Sequence, residues 1–210
     1  MKKFLAFLLA ALMVFSMTAC APSMNETTAP STTPATTPTQ PSTQSTTVPA
    51  NDNQNGSTQI LSAIWDTYKD EDRFAAYGGA VENSVADAPG ALDLSNTEEI
   101  TGRYLLPEDQ LANVTEAASL VHMMNNNIFT AAVFGLKDGT DMQTVAEALF
   151  DNVMNNQWVC GQPDKLVLAD MGSNQLLMAF GSNEAMEVFK TNMTGVYASA
   201  KILYEETIVA

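Results

Sequence analysis

LVHMMNNNIFTAAVFGL (residues 120–136) and LVLADMGSNQLLMAFG (residues 166–181) are the two stretches whose reading decides the fold. Each is an apolar run, a turn rich in Asn or in Gly and Asn, and a second apolar run. Asn and Gly accept the positive φ that a tight reversal needs, so each stretch reads as a β-hairpin. A helical pattern follows each, from Asp141 in the first case and from Asn183 in the second. Moving the first stretch forward 46 positions without a gap lays Leu120-Val121 on Leu166-Val167 and Phe134-Gly135 on Phe180-Gly181. The pattern suggests a β-β-α unit written twice.

Working outward, Met142, Val145, Ala146, Leu149, Val153 and Met154 make one helical stripe, and Met186, Phe189, Met193, Val196, Tyr197 and Ala200 make another. Thr140 followed by Gln143 reads as a capping box for the first of these helices. Ile60, Leu61, Ile64, Trp65 and Tyr68 predict an N-terminal amphipathic helix. Between it and the hairpins, Gly78-Gly79 and Asp87-Ala88-Pro89-Gly90 are turn chemistry. Glu99 to Leu106 reads as a strand, and Pro107 to Gln110 as the first turn of a short helix. The tail 202–210 is either an edge strand or a frayed end.

This order predicts an α+β fold, a single small domain with a mostly antiparallel sheet built from two β-β-α units plus the N-terminal helix. The strands are apolar at nearly every position, where a half-exposed strand would alternate. Both faces must therefore be covered. The two repeat helices are expected on one face. The N-terminal helix, with Ile60, Ile64, Trp65 and Tyr68, is expected on the other, unless a second copy of the chain fills that place.

The first residues carry an address. Lys2-Lys3 precede a 12-residue apolar core from Phe4 to Phe15, which is shorter than a membrane span of about 20 residues. Met17-Thr18-Ala19-Cys20 then resembles the lipobox of bacterial lipoproteins. The resemblance implies cleavage after residue 19 and acyl chains on Cys20, placing the protein on the extracytoplasmic face of the cell membrane through its lipid. Ala19-Cys20-Ala21 also satisfies the A-x-A pattern of an ordinary signal peptidase, which would release the protein instead. Residues 20–57 follow as a stalk with ten Thr, five Ser and six Pro and neither Lys nor Arg. Such a segment buries too little surface to offset its ordering entropy, so disorder is expected. The globular domain is expected over 58–210.

Loss of Lys2 and Lys3 with the leader leaves seven basic residues against 24 acidic ones, a net charge of −17 with His122 neutral. That field repels nucleic acid and anionic lipid headgroups; it reads first as a solvated acidic surface that favours solubility, and more weakly as one that attracts cations or basic partners.

The chemistry-bearing residues are few. With Cys20 acylated, Cys160 has no partner for an internal disulfide. Beside Trp158 and Val159 it reads as a small buried hydrophobe, and the rival reading pairs it with His122 as nucleophile and base. Asp138-Gly139-Thr140-Asp141 looks like a fragment of a calcium loop. It lacks the alternating carboxylates and the distal Glu, so a turn and a helix cap account for it. The eight methionines from Met123 to Met193 fall on core spacings and read as packing. No catalytic, cofactor or metal residues are assigned.

The run His122-Met123-Met124-Asn125-Asn126-Asn127, with Gln157-Trp158-Val159-Cys160-Gly161-Gln162-Pro163-Asp164-Lys165, resembles domains of uncharacterised secreted bacterial lipoproteins over residues 60–197. The resemblance implies an envelope address and brings no activity. The expectation is a membrane-anchored, non-catalytic binding or accessory module that engages an envelope protein or itself. The alternative is a small envelope hydrolase or transferase using Cys160. A solute-binding protein is disfavoured, since roughly 150 residues do not make a two-lobed cleft.

Overall fold

The structure is a computed structural model that describes residues 56–209. The expected leader, the acylation site at Cys20 and the stalk through residue 55 lie outside the described residues. The rest is an α+β domain built on one antiparallel sheet of eight strands.

Helix α1 (Gly56–Trp65) is followed by the short strands β1 (Ala76–Gly78), β2 (Val85–Ala86) and β3 (Gly90–Ala91). Then come α2 (Thr97–Arg103), a 3-10 segment (Glu108–Asn113) and the first long hairpin, β4 (Val114–His122) with β5 (Phe129–Leu136). Helix α3 (Met142–Met154), strands β6 (Lys165–Asp170) and β7 (Gln175–Gly181), helix α4 (Asn183–Val196) and edge strand β8 (Lys201–Thr207) complete it. The strands lie in the order β2-β1-β4-β5-β7-β6-β8, with β3 continuing the edge of β4 beside β1. Gly78 and Gly90 are required where these two short strands meet, because a Cβ on Gly78 would stand 2.4 Å from the Gly90 nitrogen.

Strand β5 is buried at every one of its eight positions. One face of the central strands packs Val121, Ala132, Phe134, Leu166, Leu168, Met178 and Phe180 against Ile100, Tyr104 and Leu106 and against Val145, Leu149 and Val153 of α3. The other packs Leu120, Phe129, Val133, Val167 and Leu177 against Leu61, Ile64 and Trp65 of α1 and Met186, Phe189 and Met193 of α4. Each fully buried Leu or Phe contributes about 1.5–3 kcal/mol, so neither face is dispensable.

This corrects the expected placement of the helices. Helix α1 shares its face with α4, and α3 lies on the opposite one. The reason is the strand order, in which β5 does not adjoin β6. The connections β5–α3–β6 and β7–α4–β8 each join parallel strands across one intervening antiparallel strand, and both step the same way along the sheet. Since β5 and β7 run antiparallel, two crossovers of the same hand must lie on opposite faces.

The repeat does not survive in the geometry either. Val121 pairs with Thr130, so a faithful copy would set Val167 opposite Leu176, yet Val167 pairs with Ala179. The slip is three residues, an odd number, so Leu120 and Leu166 point to opposite faces. The order hairpin-then-helix recurs, but the packing does not.

Two local expectations also change. Glu99 to Leu106 is not a strand. Thr97–Arg103 is helical, with the Asn96 side chain accepting from the Glu99 N–H, acidic residues in the first turn and Arg103 in the last. On α3 the cap is Asp141 rather than Thr140; its carboxylate accepts from the Gln143 N–H at 3.0 Å and the Thr144 hydroxyl at 2.8 Å. The turn before it bends at Gly139, φ 82°. Helix α1 starts two residues before the expected domain boundary. Glu116 of β4 accepts from the Gly56 and Ser57 N–H groups at 3.2 and 3.1 Å, an acidic cap lent to the helix from 59 residues away.

Candidate functional site

The Asn turn after β4 is the hub of the site. Asn127 Nδ2 donates to the carbonyls of Val159 and Gly161 at 2.8 and 2.6 Å, and Asn125 Nδ2 donates to that of Cys160 at 3.2 Å. Two side-chain amides thus satisfy three carbonyls of a loop that belongs to neither sheet nor helix. The turn itself closes through the Asn127 N–H on Asn125 Oδ1 at 2.9 Å.

Helix α2 reaches the same turn through a polar chain. Arg103 donates to the Tyr77 hydroxyl at 2.6 Å, and that hydroxyl donates to Asn126 Oδ1 at 3.3 Å. Glu99 holds the neighbouring loop by accepting from the Val81 N–H at 3.3 Å and from Asn96 Nδ2 at 3.2 Å. Between α2, the turn and the 156–159 segment lies a groove of about 690 Å³. Its polar lining includes Glu98, Glu99, Arg103, Asn126 and Asn156, and its apolar lining Val81, Leu105, Trp158, Val159 and Phe180. Trp158 stands edge-on to Phe180 at 5.1 Å, and its indole N–H is buried without a hydrogen-bond partner among the described residues. Two of the apolar lining residues, Val81 and Val159, are exposed, and so are Met123 and Met124 of the turn. Met123 and Met124, expected to pack in the core, are therefore surface residues. Met178, Met186 and Met193 do pack there.

The two residues cast as a possible catalytic pair both adjoin the Asn turn. Cys160 is exposed, which corrects its reading as a buried hydrophobe. It sits at φ 64° before Gly161 at φ 106°, a left-handed bend that turns the loop outward. His122 ends β4 with its ring stacked on Phe74 at 5.2 Å. Its Nδ1 accepts from the Met124 and Asn125 N–H groups at 3.2 and 3.4 Å, which leaves the proton on Nε2. Partial burial lowers its pKa, in keeping with a neutral ring. No hydrogen bond among the described residues joins His122 to Cys160, and no group of three His, Cys, Asp or Glu among them is placed to hold a metal ion.

The runs 122–127 and 157–165, marked by their resemblance, do converge here. Arg103 and Glu99 belong to the segment read as a strand, so nothing in the sequence aimed them at this groove. The cap signature of Asn96 with Glu99 was the signal that would have placed them on a helix. No family model, no curated protein and no solved structure matches the chain.

Proposed function

We propose that the protein is an extracytoplasmic lipoprotein, held to the cell membrane by acyl chains on Cys20. Its folded domain then acts as a non-catalytic binding module whose ligand seats in the groove between α2 and the Asn turn. The observation that supports this reading is the groove itself. It is a concavity of ligand-binding size with donors, acceptors and apolar walls together, built on a turn whose own amides are used to fix the opposite wall. Arg103 retains donors beyond the one given to Tyr77.

Two experiments test the two parts. Cys20→Ala should leave the membrane fraction or remain unprocessed; a variant that matures and fractionates like the wild type refutes the anchor. For the groove, Gly102 lines it and a Cβ there meets nothing within 4 Å, so Gly102→Trp fills the space without a backbone clash. An envelope component captured by the wild-type chain and lost with Gly102→Trp supports the site. Equal capture by both places binding elsewhere.

A further inference from the structure

Past the 156–158 segment the groove adjoins a second hollow, of about 470 Å³, beside the C-terminal end of α3. Asn156, Gln157 and Trp158 line both, so the two meet over one short stretch of chain. We propose that this double track binds an uncharged oligosaccharide, laid across Trp158 with its hydroxyls on the side-chain amides. The proposal rests on the reading of the groove as a binding site and names the class of ligand.

The first support is the kind of polar group in the walls. Asn155, Asn156, Gln157 and Gln162 all line the second hollow, and no charged residue does. In a chain with 24 acidic residues, such a wall selects neither a cation nor an anion. It suits a neutral ligand dense in hydroxyls. A carboxamide offers donor and acceptor side by side, which matches the two hydroxyls of a vicinal diol. In the groove itself Glu82, Glu98 and Glu99 outnumber Arg103, which disfavours an anionic glycan.

The second is that these amides are available. None of the four is buried. Asn155 Nδ2 donates to the Asp151 carbonyl at 2.7 Å and Gln162 Nε2 to the Ile208 carbonyl at 2.8 Å, which fixes both side chains with their amide oxygens left over. The Asn156 and Gln157 side chains, and Asn126 Nδ2, make no hydrogen bond among the described residues. The backbone alongside is spent, since Asn125 and Asn127 take the carbonyls of Val159, Cys160 and Gly161.

The third is the shared floor and the shape. Trp158 is half-buried, and its ring is held edge-on to Phe180. The negative face of an aromatic ring attracts the weakly positive C–H groups on the flat side of a sugar ring. Each hollow lies within the range of about 300–1,000 Å³ that takes one small ligand, so the pair suits linked units. A peptide is the rival neutral ligand, and it binds by adding to an open sheet edge. Phe180 is the only lining residue in a strand, and β7 is paired on both sides.

The chain has two tryptophans, and the Trp65 indole N–H is bonded to the Asp87 carbonyl at 2.9 Å. The two indole signals in an NMR spectrum thus give a reporter at Trp158 and an internal control. Maltotriose, cellotriose and triacetylchitotriose are titrated into the full chain. At least one should shift the Trp158 signal saturably while that of Trp65 stays in place. Its affinity should hold between about 0.05 and 0.5 M sodium chloride, because no charges pair. Glucose, a single ring, should bind about ten-fold more weakly or worse, and Asn156→Ala combined with Gln157→Ala should cost the trisaccharide about ten-fold or more. Neither side chain is buried, and superimposable backbone spectra would show that the double variant is folded. No saturable shift with any of the three sugars overturns the proposal. So does a double variant that binds like the wild type, glucose binding as tightly, or an equal response to acetyl-trialanine amide. The wider reading of the groove survives those outcomes if an envelope component is still lost with Gly102→Trp, and falls only if both chains capture it equally.

Discussion

The two faces of the sheet are equally apolar but treat their buried tyrosines differently. On the face covered by α2 and α3, Tyr104 is fully buried and donates to Ser119 Oγ at 2.9 Å, the same oxygen that accepts from the Gly79 N–H at 3.0 Å. On the face covered by α1 and α4, Tyr68 is nearly as buried and its hydroxyl has no hydrogen-bond partner among the described residues. A satisfied hydroxyl specifies packing, here by tying α2 to the inner side of β4. An unsatisfied one is a standing cost.

The largest test of the comparison asks whether both faces are true cores. Trp65→Ala and Phe134→Ala remove buried aromatics from opposite faces, and each should lower the unfolding free energy by about 3–5 kcal/mol in denaturant titrations. A Trp65→Ala loss below about 1 kcal/mol would make α1 peripheral and its face a surface rather than a core.

The tyrosines themselves come next. Tyr104→Phe should cost about 1–2 kcal/mol, because it breaks a buried hydrogen bond and leaves Ser119 short of a partner. Tyr68→Phe should fall within about 0.5 kcal/mol of wild type or stabilise, since it removes only an unpaired group. Equal costs for the two would erase the difference between the faces. An alkaline arm sharpens it. Burial pushes Tyr104 up to about 12 from 10.0, so the unfolded chain gives up that proton first. Stability should fall between about pH 10 and 12, and Tyr104→Phe should lessen the fall.

A smaller effect belongs to the cap of α1. Glu116→Gln keeps the shape of the group but removes the charge facing the Gly56 and Ser57 N–H groups, and should cost about 0.5–1 kcal/mol in thermal unfolding. No loss would mean that α1 docks by apolar contact alone.

The smallest lies at His122, at the start of the Asn turn. Burial lowers its folded pKa below the ordinary histidine value of 6.5, so the unfolded chain binds the proton more readily. Stability should therefore be full above about pH 6.5 and decline as the pH falls toward the folded value. His122→Gln should flatten the unfolding midpoint between pH 7.5 and 5.5 relative to wild type.

How much of this was legible in the chain follows from the range of the interactions. The second strands of both hairpins, the stripe of α3 and the need to cover both faces are written in local periodicity; the stripe expected on α4 holds at Met186, Phe189 and Met193, whereas Val196 is exposed where the helix ends. Helix α2 was missed because seven residues hold too few turns for a stripe; only its cap and end charges mark it. Of the groove, the two runs 122–127 and 157–165 were marked, but Cys160 was read as buried from its apolar neighbours. The carbonyl-to-amide bonds that hold its loop outward come from residues more than thirty positions away.

By itself the sequence determined the class of fold, the hairpin-then-helix order and the apolar surface that each element must bury, because these depend on spacing within a few turns of chain. Which face each helix covers was decided only by tertiary structure. That choice depends on strand order and crossover hand, which no local spacing encodes. The same holds for Arg103, Tyr77 and Asn126, brought together from three separate segments, and for the unpartnered hydroxyl of Tyr68. A hydrogen bond, or the want of one, is a property of two places at once.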